Sequence, residues 1–126
     1  MAIGLRQVNV PIVVRVQGGQ AESEHEVSRR GQSGLGRELG ADGIRANCVC
    51  PGFVETEMWT SVVHAQAALF EQTPEEFARQ RRLQVPLGRM ERPEDVANVI
   101  GFLASPRADY MTGQALSVDG GLVMHG

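Results

Sequence analysis

The chain has 126 residues and a formal net charge of −3, with 42% hydrophobic and 21% charged residues, which is typical of one globular domain and excludes a fibre or a wholly disordered chain. Its basic residues are all arginines and are scattered, so nothing predicts a nucleic-acid-binding surface. No apolar run approaches the roughly 18 residues that span a bilayer, and no secretory leader is visible. We therefore expect a cytoplasmic protein without a membrane anchor.

Residues 1–36 differ in pattern from the rest of the chain. Residues 8–16 predict a short strand, which Pro11 confines to a sheet edge because proline lacks a ladder donor. Residues 21–30 are too polar to give a helix an apolar stripe, so we expect this segment to be poorly ordered. The glycine-rich run at residues 31–36 imitates a dinucleotide-binding fingerprint, but it precedes a strand instead of following a first one. We interpret it as a coincidence.

From Arg37 onward, helices and strands alternate. Residues 37–39 predict the last turn of a helix that Gly40 ends, and residues 44–50 predict a buried parallel strand. A connection over residues 53–60 then leads into a predicted helix over residues 61–70.

Three further elements follow in the second half of the chain. Thr73, followed by a proline and a glutamate, is a helix-start signal. A second helix is predicted to begin at Pro93 and to bury an apolar stripe, which consists of Val96, Val99, Ile100 and Leu103. Residues 114–118 predict a final short strand.

Several residues that suggest chemistry have simpler interpretations. Cys48 and Cys50 lie on the same face of a strand, where an intrachain bridge would strain the backbone, so we expect free, buried thiols. The three histidines share no metal-ligand spacing with one another or with the cysteines, so we predict no metal site. Glu55 and Glu57 flank a threonine in a loop, and we interpret them as solvated charges instead of an acid/base pair.

An ordered set of motifs carries a family resemblance. Residues 44–56 read IRANCVCPGFVET, and they are followed by PLGRM at 86–90, PEDVA at 93–97, FLAS at 102–105, YMTGQ at 110–114 and VDGG at 118–121. Together they resemble the carboxy-terminal part of the classical short-chain dehydrogenase/reductases, over about residues 37–126. The resemblance implies an α/β fold in which this stretch supplies strand six, the substrate lid, the penultimate helix and strand seven of a doubly wound, Rossmann-like parallel sheet.

The resemblance also implies a cofactor, NAD or NADP, whose nicotinamide faces the turn after strand six. Pro51 and Gly52 would let the backbone pass close to the ring, the Val54 backbone would bond the carboxamide, and Thr56 would hold that group or the adjacent phosphate. A hydroxyl and backbone amides supply donors and acceptors matched to a neutral amide. A plain strand-to-helix turn is the alternative for these four residues.

The residues next to this turn would face the substrate in the family. Phe53, Met58 and Trp59 are therefore predicted to form an apolar wall of the substrate pocket. For Trp59, the only tryptophan, an aromatic plug beneath the lid is the alternative.

The family's catalytic pair cannot be located. It consists of a tyrosine and a lysine four residues later, and the lysine favours the phenolate. This chain contains no lysine, and we interpret its only tyrosine, Tyr110, as structural. Residues 1–36 also lack a recognisable pyrophosphate-binding turn. We therefore predict no catalytic residue and hypothesise that residues 1–36 come from a truncated or frame-shifted reading of a longer gene.

The resulting functional prediction is the remnant of an NAD(P)-dependent oxidoreductase acting on a small-molecule secondary alcohol, polyol or ketone, inactive as it stands. A 3-oxoacyl-thioester reductase is the near alternative. A rival from another class is a noncatalytic oligomerisation module. This module would pair with a second copy of the chain through Val96–Leu103 and Gln114–Val118, as the resemblance implies for a homo-oligomer. A sheet without its first five strands should expose the edge of strand six and be marginally stable.

Overall fold

The computed structural model describes residues 12–16, 31 and 33–123. Three strands and four helices follow one another along this part of the chain. They are β1 (Ile12–Val16), α1 (residues 33–40), β2 (Arg45–Pro51), α2 (Glu57–Leu69), α3 (Pro74–Leu83), α4 (Pro93–Ala104), a 3₁₀ turn (Pro106–Ala108) and β3 (Ala115–Val118).

The described strands form one parallel sheet in the order β1-β2-β3. In its register Val14 lies opposite Asn47, and Val49 lies opposite Leu116. Residues 45–50 of the central strand are all buried, as expected of a parallel strand covered on both faces. The predicted α/β class with a parallel sheet is confirmed, and β2 begins and ends one residue later than predicted.

The first strand changes the expectation for the edge of β2. β1 pairs with β2 over five residues, so the edge that we expected to be exposed is covered. Among the described residues β1 itself lies at the sheet edge, as predicted. Pro11 and residues 21–30, which entered those predictions, lie outside the described residues. Residues 33–36 of the glycine-rich run lie within α1, where the glycines form no turn after a strand.

The helix α4 packs on one face of the sheet through the predicted apolar stripe. Val96 and Leu103 are buried in a cluster with Val49 of β2, and Val99 and Ile100 are partly buried against it. The helix begins at Pro93, as its start signal predicts. This stripe is therefore a confirmed part of the core, and it fixes α4 against the central strand.

The helices α2 and α3 form a hairpin beyond the carboxyl end of β2. At the start of α3, Thr73 Oγ1 accepts the Glu76 N–H over 3.2 Å and the Glu76 carboxylate accepts the Thr73 N–H over 3.1 Å, as the signal predicts. The predicted start of α2 at residue 61 was wrong. Thr56 Oγ1 accepts the Trp59 N–H over 3.2 Å, and this cap begins the helix at Glu57, one turn earlier.

The remaining side-chain predictions have mixed outcomes. Cys48 and Cys50 form no disulfide bond and are buried, as predicted, and their sulfur atoms lie 4.0 Å apart. Glu55 and Glu57 are exposed. Tyr110, interpreted as structural, is fully exposed, so its ring packs in no core.

Within residues 33–123 no helix is long and apolar enough to cross a membrane, and no acidic, histidine or cysteine side chains cluster as metal ligands.

Candidate functional site

The turn after β2 lies at the carboxyl end of the parallel sheet, the side on which open α/β sheets bind ligands. Pro51 is the last residue of β2. The Gly52 N–H donates to the Val118 carbonyl over 3.2 Å and to Glu91 Oε2 over 2.8 Å. A Cβ at Gly52 would lie 2.9 Å from Asp119 Cβ, so the turn requires glycine for its own packing against the residue that follows β3.

A short parallel bridge holds the next residues of the turn. Val54 is paired with Glu91. The bridge consists of the Glu91 N–H donating to the Phe53 carbonyl over 3.1 Å and the Glu55 N–H donating to the Glu91 carbonyl over 2.8 Å. In extended backbone, the amide and carbonyl of a residue point away from the side used by its two neighbours. The Val54 N–H and C=O therefore point away from Glu91, and neither is hydrogen-bonded to a described residue.

Glu91 is a residue of this site that the sequence patterns do not indicate. The residue is only 8% exposed, and Oε1 is buried without a hydrogen-bond partner among the described residues. Burial raises the pKa of the Glu91 carboxyl, while the Gly52 N–H bond and Arg89 lower it and the charges of Asp95 and Asp119 raise it. A buried carboxylate of this kind is costly to ionise.

A cavity of about 100 Å³ lies beside this turn. Its lining combines apolar and charged side chains: Phe53, Val85, Leu87, Arg89, Glu91, Asp95, Val118, Asp119 and Gly120. Pockets for small molecules usually measure about 300–1,000 Å³, so this cavity of about 100 Å³ is too small for a dinucleotide.

The three residues predicted to form the substrate wall are only partly brought together. Phe53 is buried and lines the cavity, and its ring centroid lies 5.3 Å from that of Trp59. Trp59 also packs against the cluster between α2 and α3, which is the arrangement of a plug beneath the hairpin. Met58 is 75% exposed on α2 and does not line the cavity.

The predicted cofactor-binding hydroxyl has a structural partner. Thr56 is exposed and caps α2, so one lone pair of Oγ1 is engaged by the Trp59 amide. Its hydroxyl hydrogen remains available as a donor. Thr56 thus caps the helix, and its exposed hydroxyl still has a donor to offer two residues after Val54 in the chain.

An ion pair closes the charged side of the cavity. Arg89 donates to both carboxylate oxygens of Asp95, over 2.6 and 3.0 Å. The pKa of Asp95 is lowered far below its ordinary value, first by this bond and then by the bond from the Arg92 N–H. Asp95 is therefore ionised throughout the physiological range, whereas its neighbour Glu91 is harder to ionise.

Comparisons with known proteins place these features in a broader context. A family model described as enoyl-(acyl carrier protein) reductase matches residues 30–123. The 3-oxoacyl-[acyl-carrier-protein] reductase of Thermotoga maritima is 39% identical, over 93% of this chain and 45% of its own length. The (3R)-3-hydroxyacyl-CoA dehydrogenase of Rattus norvegicus is 37% identical, over 93% of this chain and 42% of its own length.

A solved structure is similar as well. The crystal structure of a variant of the actinorhodin polyketide ketoreductase with NADPH has a TM-score of 0.78 and 35% identity, covering 88% of this chain and 46% of the other. The chain spans about half the length of the curated relatives it matches. The similarity over 93% of the chain includes part of residues 1–36, where we expected none.

Proposed function

The chain belongs to the short-chain dehydrogenase/reductase family, and from this premise we propose that it supplies the nicotinamide-facing turn and the lid of an NAD(P)-dependent reductase of 3-oxoacyl thioesters. Among the similar proteins, one is named a 3-oxoacyl-[acyl-carrier-protein] reductase, another a polyketide ketoreductase and a third a (3R)-3-hydroxyacyl-CoA dehydrogenase.

The observation that carries the proposal is the backbone of Val54. One N–H donor and one C=O acceptor, adjacent and unpaired among the described residues, match the acceptor and donor of a carboxamide. Thr56, two positions later in the chain, adds a hydroxyl donor. When bound, a nicotinamide dinucleotide supplies the hydride, and this chain's residues orient its ring and exclude water on the side of Phe53.

The exposed apolar side chains of the lid favour an acyl substrate over a polyol. Met58, Val62 and Leu69 of α2 are all exposed, and Met58 and Val62 are one helical turn apart, so they share a face. Such a surface suits the alkyl part of an acyl thioester, because a polyol offers only hydroxyl groups that need polar partners. We therefore prefer the acyl-thioester alternative to the polyol that the lid sequence suggests.

The proposal assigns no proton donor within the chain. No lysine is available to lower the pKa of a phenol, and the only tyrosine, Tyr110, is fully exposed in the turn before β3. The purified chain is therefore expected to show no turnover. We also expect it to bind the nicotinamide portion weakly. A few hydrogen bonds without a pyrophosphate site support a Kd on the order of millimolar.

The test is a titration of the isotope-labelled chain with nicotinamide and with NADPH, followed by the backbone amide resonances. We expect the largest shifts at residues 52–56. Val54→Pro removes the donor and should abolish them, whereas Val54→Ala keeps the backbone and should retain them. Shifts confined to another part of the chain, or an unchanged response in Val54→Pro, would contradict the proposal. Reduction of acetoacetyl thioester by the purified chain would contradict the absence of a proton donor.

An association module remains the second candidate, and one observation favours it. Among the described residues β3 lies at an open edge of the sheet, and Phe102 on α4 is substantially exposed. We propose that Val96–Leu103 and Gln114–Val118 pair with a second copy, which would cover both features. Sedimentation of the wild type and of Phe102→Glu tests this: the wild type should dimerise and the variant should not, and a monomeric wild type would contradict it.

The cysteines bear on the compartment. No disulfide bond joins Cys48 and Cys50, whose sulfur atoms lie 4.0 Å apart. This arrangement is in keeping with the cytoplasm, where disulfides are rare, and we propose that location.

A further inference from the structure

Glu91 makes contacts that bear directly on the proposed nicotinamide contact. We propose that Glu91 is a positioning residue that fixes the orientation of the Val54 amide and carbonyl through hydrogen bonds on both sides of Val54. This inference rests on the proposed function.

Three hydrogen bonds from Glu91 span the turn. Its side-chain Oε2 accepts the Gly52 N–H over 2.8 Å. Its backbone N–H donates to the Phe53 carbonyl over 3.1 Å, and its backbone carbonyl accepts the Glu55 N–H over 2.8 Å. Glu91 is therefore hydrogen-bonded to two residues before Val54 and to the one after it. The Val54 N–H and C=O point away from Glu91.

Only one of these bonds depends on the side chain. Any residue except proline at position 91 would make the two backbone bonds, but the bond to Gly52 needs an acceptor at the end of a side chain. A carboxylate accepts such a bond more strongly than a neutral group does. The Gly52 N–H also donates to the Val118 carbonyl of β3 over the longer distance of 3.2 Å. Without the Glu91 carboxylate, this longer hydrogen bond would be the one that remains at the Gly52 N–H.

Glu91 lies in surroundings where a negative charge is energetically costly. The residue is 8% exposed, and Oε1 has no hydrogen-bond partner among the described residues. The charged groups that act on it are Asp95 of α4, Asp119 after β3, and Arg89 of the preceding loop. Two of these three are carboxylates, so a neutral residue of the same size would be more favourable for stability. A position that tolerates such a charge is a candidate for a functional role.

The inference has a specific pH signature. Burial raises the Glu91 pKa, so the carboxylate forms at a higher pH than that of an exposed glutamate does. The ionised form holds the Gly52 N–H more strongly than the protonated form does. Nicotinamide binding at Val54 should therefore strengthen as pH rises through the ionisation of Glu91 and level off above it.

The experiment uses the isotope-labelled full chain, with nicotinamide as the probe, from about pH 4 to about pH 8. The variants are Glu91→Gln, which keeps an acceptor without the charge, and Glu91→Leu, which removes it. Glu94→Gln on the exposed start of α4 is the matched control. The readouts are the Gly52 amide shift, its hydrogen-exchange rate, and the nicotinamide Kd from the Val54 amide.

In the wild type and Glu94→Gln, we expect the Gly52 shift and the Kd to follow one ionisation. Glu91→Gln should lose that pH dependence and keep slow exchange. Glu91→Leu should exchange about tenfold faster at Gly52, which corresponds to about 1.4 kcal/mol, and should bind nicotinamide several-fold more weakly.

The failures are distinguishable. Equal nicotinamide affinity in Glu91→Leu and the wild type would overturn the positioning role and leave the proposed function intact. A wild type in which the Gly52 shift is independent of pH would also overturn it, without requiring any variant to fold. If nicotinamide moves no resonance near Val54 in the wild type, the proposed function itself is overturned.

Discussion

The guanidinium of Arg45 donates to the Leu103 carbonyl over 2.8 Å and thereby joins the start of β2 to the end of α4. A second donor reaches the Met111 carbonyl over 3.3 Å. Arg45 is buried and has no carboxylate partner among the described residues. Its positive charge is balanced by carbonyl oxygens, including those at the carboxyl end of a helix, where a cation is favourable.

Replacement of Arg45 by leucine should strongly destabilise the fold. The change leaves the Leu103 carbonyl in the interior without its donor, at a cost of about 1–3 kcal/mol, whereas the Met111 carbonyl still accepts the Asn47 side-chain amide over 2.9 Å. Urea unfolding followed by circular dichroism should show a loss of about 1–3 kcal/mol. Arg107→Leu, at an exposed arginine of the 3₁₀ turn, is the control and should change stability by less than about 0.5 kcal/mol. Equal effects of the two would contradict the role of Arg45.

Alanine at Gly52 should be destabilising, although alanine is the smallest possible addition. Its Cβ would lie 2.9 Å from Asp119 Cβ and 3.1 Å from Asp119 Cα. The backbone on both sides must shift, at a cost of about 1–3 kcal/mol. Gly101→Ala in α4, where nothing lies within 4 Å of the new Cβ, should instead stabilise by about 0.5–1 kcal/mol. Thermal unfolding of both variants gives the comparison, and opposite signs are expected.

The Arg89–Asp95 pair should make stability depend on pH at the acid end. The folded pKa of Asp95 is lowered below its ordinary 3.8, chiefly by the hydrogen bond from Arg89. The unfolded chain therefore binds the proton more readily, and the stabilisation is present above the unfolded pKa and is lost as pH falls through the folded one. Asp95→Asn should lower Tm at neutral pH, by a margin that shrinks in acid.

Salt should also reduce the effect of Asp95→Asn, because the side chain of Arg89 is 50% exposed. Asp109→Asn, an exposed aspartate after the 3₁₀ turn, is the matched control. A margin that stays constant from neutral to acid pH would show that the loss comes from packing or capping and not from the charge.

The hydroxyl of Thr56 should contribute to the stability of α2. Thr56→Ala removes the acceptor of the Trp59 N–H and should cost about 1 kcal/mol in urea unfolding, whereas Thr56→Ser should retain most of that stability. Thr60→Ala, one turn into the same helix and exposed, should be neutral or slightly stabilising because alanine favours helices. A neutral Thr56→Ala would indicate that the cap is unimportant.

Local patterns were sufficient for some elements and insufficient for others. The start of α3 is encoded within four residues, since Thr73 and Glu76 bond each other's backbone, and the stripe through Val96 and Leu103 repeats within one helix. These were predicted correctly. The predicted start of α2 was wrong, because the family resemblance assigns the Thr56 hydroxyl to a ligand, whereas the same hydroxyl caps the helix through the Trp59 N–H.

The role of Glu91 could not be predicted from its neighbours in sequence. Its partner Gly52 lies 39 positions away, and a glutamate beside an arginine and a proline has the local pattern of a solvated loop residue. The same holds for Asp119, whose approach to Gly52 depends on how β2 and β3 pair. Contacts between distant segments decide both features, and periodicity carries no information about them.

The parallel pairing of the described strands has a kinetic consequence. The Asn47 side-chain oxygen accepts the Gln114 N–H from 67 positions away, and the pairing of β2 with β3 joins segments equally remote. The long loops between these segments must close before any of these bonds forms, and proteins rich in contacts between distant residues fold slowly. After dilution from urea, the helical signal should therefore return well before the signal of Trp59, and the newly made polypeptide should spend an appreciable time with unpaired strands accessible to chaperones.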